Sequence, residues 1–139
     1  MVEFTLSMMI LMPLFLGGWA FGYTFFQYAQ LENAVRAGAR YASTVNYDSS
    51  TSTPSSSFLN AVKNVTVYGD PNADPATATP VVSGLTTGKV NLTVGFLNGA
   101  PASMTVSISN FQVLSYPGKA TLNNKPFVSF PYVGYWSPP

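Results

Sequence analysis

The feature that most constrains this chain is a long uncharged segment close to its start. No Asp, Glu, Lys or Arg occurs between Phe4 and Leu31, and residues 4–26 are almost entirely aliphatic or aromatic. As a helix, residues 4–26 would extend roughly 34 Å, which is enough to cross a bilayer core of about 30 Å. Because good helix formers continue beyond the apolar part, we predict one helix from about residue 3 to residue 46.

A cleaved secretion signal would explain the same segment less well. Its apolar core would be too long, no basic residue precedes it, and no small-residue cleavage pattern closes it. A cleaved signal would also leave the helical pattern beyond the apolar part without a purpose. We therefore expect the segment to remain in the working protein as a membrane-spanning helix.

Helix-weakening residues lie inside the apolar part. Pro13 removes one backbone hydrogen bond, and each glycine in a helix interior costs about 1 kcal/mol relative to alanine. We expect a kink near Pro13 and local unwinding toward Gly18. The alternative is a plain membrane helix in which Gly17, Gly18 and Gly22 allow other helices to pack closely.

Apart from Glu3, the charged residues of the predicted helix follow its apolar part and share one stripe. Glu32, Arg36 and Arg40 are spaced four residues apart, which places them side by side on the helix surface. They form either a solvated ladder of charges or a contact with a neighbouring subunit. Small residues in the same stretch should let another helix or a sheet approach: Ala34, Ala37, Gly38, Ala39 and Ala42.

Composition excludes several classes of chemistry. The sequence contains no His and no Cys, which rules out His bases, Cys nucleophiles, thiolate metal sites and disulfides. Five acidic residues leave little for catalysis by paired carboxylates, and a net charge of +1 offers no basic patch for nucleic acid. We therefore expect no enzymatic activity, no cofactor, no metal site and no nucleic-acid partner.

The rest of the chain is predicted to be a linker followed by a small β-rich domain. After a helical segment over residues 1–46, residues 47–57 are rich in Ser and Thr, as flexible connectors are, and residues 58–139 form the predicted domain. The clearest element is a hairpin that turns at residues 98–101, Asn-Gly-Ala-Pro. Its first strand points four apolar side chains toward one face: Val90, Leu92, Val94 and Phe96.

Other elements of the domain have weaker signals. Residues 57–64 predict a short helix capped by Ser57, and residues 64–68 alternate like a strand. Residues 111–116 and 126–136 suggest edge strands interrupted by prolines. We predict an α+β fold, in which a small antiparallel β-sheet packs on the latter half of the long N-terminal hydrophobic helix. The aromatic C-terminal tail either closes the core of this sheet or docks on a neighbouring subunit.

Two kinds of polar motif in the domain are typical of glycosylation and of calcium binding. Asn64 and Asn91 begin Asn-x-Thr triplets, which are acceptor sequences for N-glycosylation. Residues 70–74 match the start of a calcium-binding loop, but the glycine and the bidentate acid that such a loop requires are absent. Turns that use Asp and Asn side chains explain residues 70–74 without a metal.

Three motifs in residues 1–45 resemble those of a known family. The chain begins with Val2-Glu3-Phe4, Pro13 stands early in the apolar run, and LENAVRAGARYA closes the helix from Leu31 to Ala42. In these motifs the chain resembles the TadE/TadG-like branch of the tight-adherence pili, within the type IV pilin superfamily. The remainder of the chain is similar to that family only in being a strand-rich tail.

The resemblance implies a processed helix that assembles. A basic leader would precede Met1 and would be removed by a prepilin peptidase. The removed leader would also explain why Arg36 and Arg40 do not hold the domain in the cytoplasm, as the positive-inside rule alone would require. The subunit would wait in the inner membrane until a cytoplasmic ATPase and a membrane platform assemble it into an extracellular filament. This filament would be a helical homo-oligomer that serves adhesion.

Glu3 would be central to that assembly. Pairing of its carboxylate with the α-amine of a neighbouring subunit would neutralise both charges and set the register between helices. The alternative is an interfacial acid that is only favoured by the helix dipole. The residues expected to act in assembly are Met1, Glu3, Phe4, Pro13, Gly17, Gly18, Gly22, Glu32, Arg36 and Arg40.

Two other functions fit the same sequence. The chain could be a minor, membrane-retained pseudopilin that primes or caps a filament built from another protein. It could also be a binding module for glycans or peptides that is anchored by a single span. Both alternatives keep the apolar helix and differ in what the β-rich domain does.

Overall fold

A computed structural model describes residues 2–115 and 118–136, and it confirms the predicted α+β class. A long helix is followed by a shorter one and by a small antiparallel β region. The elements in chain order are α1 Val2–Thr44, α2 Ser56–Tyr68, a 3-10 turn Thr87–Lys89, β1 Val90–Leu97, β2 Ala100–Ile108, β3 Phe111–Ser115, β4 Gly118–Leu122 and β5 Phe127–Pro131. Met1, which was predicted to act in assembly, lies outside the described residues.

Helix α1 is uninterrupted. Every residue from Val2 to Thr44 is helical, including Pro13 and Gly18. The predicted unwinding toward Gly18 is therefore wrong, whereas the kink near Pro13 stays a prediction. A single proline removes one hydrogen bond from the helix, and glycine adopts helical dihedral angles readily, so the turns on either side hold the segment together.

The two halves of α1 lie in different environments. The helix is long and apolar enough to cross a membrane, and little of its most apolar part is buried by the rest of the chain. Its second half is covered by α2 and by strands β2, β3 and β5, which confirms the predicted packing on the latter half. The buried positions there are mostly small or branched: Leu31, Ala34, Val35, Gly38, Ala39, Ala42 and Ser43.

Helix α2 begins and ends with typical caps. The Ser55 hydroxyl accepts a hydrogen bond from the backbone N–H of Phe58 at 3.2 Å, so the cap is Ser55 and not the predicted Ser57. At the other end Gly69 takes a left-handed conformation with φ of 81°, and its N–H bonds to the carbonyl of Val65 at 2.9 Å. The short helix predicted from residue 57 is thus longer at both ends.

The strand predicted over residues 64–68 is wrong, because these residues form the last turns of α2. Their alternation of apolar and polar residues is also compatible with a helix that is buried on a wide face. Phe58, Val62 and Val65 recur at helical spacing and are buried in the core. Burial of this face outweighs the weak preference of the valines for strands.

In the part of the chain that the structure describes, five strands form two antiparallel sheets instead of one. One sheet has the order β1-β2-β5, and the other consists of β3 and β4. The predicted hairpin is confirmed as β1 and β2, but its turn is shorter than the predicted residues 98–101. Asn98 and Gly99, at φ of 53° and 82°, form a two-residue turn, and Ala100 already begins β2. Asn110, with φ of 56°, redirects the chain after β2, so β3 leaves the first sheet and pairs with β4.

The core lies between α1, α2 and the inner face of the three-stranded sheet. The predicted inward alternation of β1 is confirmed, because Val90 and Val94 are buried while Leu92 and Phe96 pack against the core. Strand β2 contributes Met104, Val106 and Ile108, all fully buried. The β-rich part is therefore built directly on the second half of α1.

The C-terminal tail is fastened to the end of α1 through Tyr132. The Tyr132 hydroxyl lies 3.0 Å from the carbonyl oxygen of Val45 and 2.7 Å from that of Tyr135, and it accepts the N–H of Tyr47 at 2.9 Å. Trp136 adds a bond from its indole N–H to the carbonyl of Ser49 at 3.1 Å. Part of the aromatic tail therefore closes the core, while Tyr135 and other tail side chains stay exposed.

Replacing Tyr132 with phenylalanine should weaken this connection. The substitution keeps the ring but removes the hydroxyl that donates to the carbonyls of Val45 and Tyr135. The N–H of Tyr47 would keep only its second bond, to the carbonyl of Tyr135 at 3.1 Å. We expect a loss of about 1–3 kcal/mol in the free energy of unfolding, measured by thermal unfolding of the full chain in detergent. Tyr135→Phe is the matched control, because the exposed Tyr135 ring should tolerate the loss of its hydroxyl. Equal stability of Tyr132→Phe and the parent would contradict the role of the hydroxyl.

The same site should make stability depend on alkaline pH. Burial raises the pKa of the Tyr47 and Tyr132 hydroxyls above the usual 10.0, because the phenolate would be poorly solvated there. A raised pKa in the folded state means that this stability is fully present below pH 10.0 and falls as pH rises through the folded-state pKa. Unfolding midpoints measured across that range should fall less in Tyr132→Phe than in the parent chain.

Candidate assembly surface

The first half of α1 presents an apolar surface on all sides. We call residues 2–26 the apolar stem. Consecutive large side chains from Met8 to Met12 are all exposed, and within residues 2–26 only Ala20 is buried, so the rest of the chain covers little of the stem. Exposed apolar surface of this extent marks contact with lipid or with another protein. The exposed large side chains are Val2, Phe4, Leu6, Met8, Met9, Ile10, Leu11, Met12, Leu14, Phe15, Leu16, Trp19, Phe21, Tyr23, Phe25 and Phe26.

Glu3 is the only acidic residue of the stem and lies in the first turn of α1. It is exposed, at the helix end where backbone N–H groups and the helix dipole favour a negative charge. Phe4 beside it is also exposed. A partner from another chain can therefore reach the Glu3 carboxylate.

Three glycines give the stem a bare strip of backbone. A Cβ atom added at Gly17, Gly18 or Gly22 would meet nothing within 4 Å. Gly18 and Gly22 are four residues apart and so lie on one face of the helix, with Gly17 beside them. These positions leave room for another helix to approach closely, and no part of the described chain occupies them.

The charged stripe is divided between a pair and a free cation. Arg36 and Glu32 form an ion pair at 2.5 Å, with their side chains 58% and 38% exposed. Such an exposed pair contributes little to stability, about 0.3–0.5 kcal/mol on a helix. Arg40 is also exposed, and among residues 2–115 and 118–136 it has no acidic partner. Arg40 therefore remains available to a neighbouring molecule.

Helix α2 packs against α1 at Gly38, one of the small residues of α1. A Cβ atom on Gly38 would overlap the hydroxyl of Thr66, so the Thr66 side chain of α2 packs directly on the backbone of α1 at this point. Thr66 is fully buried and donates its hydroxyl hydrogen to the carbonyl of Val62 at 2.8 Å. The sequence predicted a close approach at Gly38 and left the approaching element open.

The predicted glycosylation acceptors differ in their surroundings. Asn64 lies on α2 and donates its carboxamide N–H groups to the carbonyls of Pro71 and Ala73 at 3.3 and 3.1 Å. Asn91 is exposed on β1 and donates to the hydroxyl of Ser109 at 2.6 Å. Asn64 thus holds the following loop, while Asn91 is the more accessible of the two acceptors.

The Asp-rich loop is organised by its own backbone. Asp70 accepts the N–H of Asn72 at 2.9 Å, and Asp74 accepts the N–H of Ala76 at 2.9 Å. These are the turns that the sequence indicated as the alternative to a calcium loop. Both carboxylates therefore have a structural use in shaping the loop.

A polar cleft at the base of the β-rich part was not foreseen from the sequence. We call it the basal cleft, and its volume is about 460 Å³. It begins at Gln27, directly after the stem, and it brings together residues that are far apart in the chain. Its lining consists of Gln27, Ser83, Gly84, Lys89, Asn110, Phe111, Gln112, Val113 and Lys119.

Comparison with known proteins finds a similarity over the first part of the chain. Residues 1–40 match the family model described as TadE-like protein, which confirms the resemblance to that family over this segment. The matched segment contains the whole stem together with Glu32, Arg36 and Arg40. Neither the curated proteins nor the solved structures contain a match to the chain.

Proposed function

We propose that this chain is a pilin-like structural subunit that assembles through its apolar stem into an extracellular filament of the tight-adherence type. The TadE-like match over residues 1–40 links the chain to the Tad pilus and to an N-terminal apolar helix. The proposal goes beyond that match in three respects: the chain assembles with its own copies, the product is an extracellular filament, and the filament serves adhesion.

The observation that carries the proposal is the exposure of the stem on all sides. In water, each Å² of exposed apolar surface costs roughly 25 cal/mol, so the stem requires an apolar environment. A bilayer supplies this environment before assembly, and a core of other stems supplies it in a filament. The bare glycine strip supports packing among other stems in a filament, because small residues allow helices to pack in close contact.

The β-rich part suits display on the outside of such a filament. It is built on residues 31–43 of α1, beyond the stem, so the stem is free to pack among other stems. The proposal includes a prepilin peptidase that removes a leader, an inner-membrane pool of subunits, and an assembly ATPase with its platform. It assigns no catalysis to the chain, in keeping with the absence of His and Cys.

Mass spectrometry of sheared cell-surface filaments tests this function. We expect the chain to be the main component, with a mature N-terminus that lies near Met1. Presence in traces only would contradict the major-subunit proposal and favour a minor pseudopilin that primes or caps the filament. A chain that lacks residues 1–27, stays folded and binds a specific glycan or peptide would favour an anchored binding module.

A further inference from the structure

The basal cleft lies where the stem meets the β-rich part. Residues 4–26 would extend roughly 34 Å as a helix, slightly more than the roughly 30 Å of a bilayer core. When the stem spans a bilayer, Gln27 therefore lies at the level of the lipid headgroups. The cleft is lined by Gln27 and so lies beside this layer.

The charge of the cleft is positive and uncompensated. Lys89 and Lys119 both line it, and among the described residues no Asp or Glu does. Lys119 lies on strand β4 and is exposed. Two ammonium groups without a carboxylate between them attract an anion, and a lysine near a membrane surface contributes to such attraction.

Lys89 is held in place at the cleft. Its Nζ donates to the carbonyl of Gly84 at 2.8 Å and lies 5.1 Å from the centre of the Phe111 ring. An ammonium group has three donors, so this arrangement orients the charge and leaves donors for a ligand. Holding the side chain in advance reduces the entropy that binding would cost.

The cleft also contains an unsatisfied acceptor. The carboxamide oxygen of Gln27 is buried and has no hydrogen-bond partner among the described residues, while its nitrogen lies 3.4 Å from the Tyr23 hydroxyl. Such an oxygen gains from a donor supplied by a ligand, which requires the Gln27 side chain to turn toward the cleft. Asn110 and Gln112 add two further carboxamides to the lining.

We propose that the basal cleft binds the phosphate of a membrane lipid headgroup while the stem is in the bilayer. Lys89 and Lys119 contact the phosphodiester anion, and the Gln27 carboxamide accepts a hydrogen bond from a hydroxyl or ammonium group of the headgroup. The volume of about 460 Å³ suits a ligand of this size. The inference rests on the membrane-held stage of the proposed function and is independent of filament assembly.

Native mass spectrometry of the full chain in detergent micelles tests this site. The chain is titrated with phosphatidylglycerol and with a glycolipid that has the same acyl chains and no phosphate. We expect phosphatidylglycerol to bind more tightly, and the Lys89→Gln, Lys119→Gln double variant to lose about tenfold or more of this affinity. The matched control is Lys63→Gln, Lys125→Gln, which removes the same charge outside the cleft and should change the affinity by less than about twofold.

Three results would overturn the proposal. These are equal binding of the two lipids, equal losses in the two double variants, or displacement of phosphatidylglycerol by inorganic phosphate at matched concentration. The last result would identify free phosphate as the ligand. Lys89 also contacts Gly84 and Phe111, so its replacement could lower lipid affinity by disturbing the fold. The single variant Lys119→Gln avoids this problem. We expect it to lose about fivefold in affinity for phosphatidylglycerol and to keep an unchanged near-UV circular dichroism spectrum. Filaments that form normally without lipid binding would remove this inference alone.

Discussion

Replacing Glu3 with alanine should reduce the yield of filaments by about tenfold or more while leaving membrane insertion intact. Within an apolar phase, a carboxylate costs about 2.5–3.5 kcal/mol at a helix centre and less near a helix end. In the proposed filament, this cost would be offset if the carboxylate of Glu3 pairs with the α-amine that leader removal would create on a neighbouring subunit. Without Glu3 the neighbour's amine stays unpaired in the filament core, and the register between stems is no longer specified.

Two measurements separate assembly from insertion. Sheared filaments are quantified by immunoblot, and the membrane-held pool is quantified after alkaline extraction of the membranes. Glu3→Gln tests whether charge or hydrogen bonding matters, and it should also assemble poorly because an amide cannot neutralise the amine. Ser7→Ala, another loss of a polar side chain from the stem, serves as the control. Normal filament yield from Glu3→Ala would eliminate the register role and leave only the favourable position near the helix N-terminus.

Replacing Gly38 with valine should destabilise the β-rich part by about 3 kcal/mol or more. Helices α1 and α2 touch at this position, where even a single methyl group would overlap the hydroxyl of Thr66. Thr66 is fully buried, so its side chain cannot turn outward to make room. The two helices must separate, and the core between them loses contacts that depend on close packing.

The prediction can be checked by thermal unfolding of the full chain in detergent, monitored by near-UV circular dichroism. Gly18→Val is the matched control on the same helix, because a side chain at Gly18 has free space around it. It should leave the unfolding midpoint of the β-rich part unchanged. Two further variants test the contact between Gly38 and Thr66 itself. Gly38→Ala should destabilise the β-rich part less than Gly38→Val. Adding Thr66→Ala to Gly38→Ala should restore much of the lost stability. A Gly38→Val chain as stable as Gly18→Val would disprove the close crossing.

Sequence reasoning succeeded where a local pattern had a single physical solution. A run of uncharged apolar residues from Phe4 onward has few solutions other than a helix in an apolar environment, because its backbone groups must bond within the segment. The β1–β2 hairpin was equally constrained, since Asn98 and Gly99 tolerate the positive φ that a two-residue turn requires. In both cases neighbouring residues alone decide the outcome.

Sequence reasoning failed where two local patterns competed for the same residues. Residues 64–68 alternate as a strand does, yet they also continue the apolar face that begins at Phe58. Contact with α1 decided for a helix, because a helix buries Val62 and Val65 together with Phe58. Likewise, nothing in the local sequence showed that the strands would separate into two sheets after Asn110.

The sequence by itself determined the apolar stem, its acidic first turn and the TadE-like motifs, because each depends on residues close together in the chain. It also identified Gly38 as a place of close approach. Only the tertiary structure decided that α2 fills that place, that Tyr132 fastens the tail to the end of α1, and that Gln27, Lys89 and Lys119 meet in one cleft. These contacts join residues far apart in the chain, and their geometry is set by how the helices and sheets pack, which local patterns do not encode.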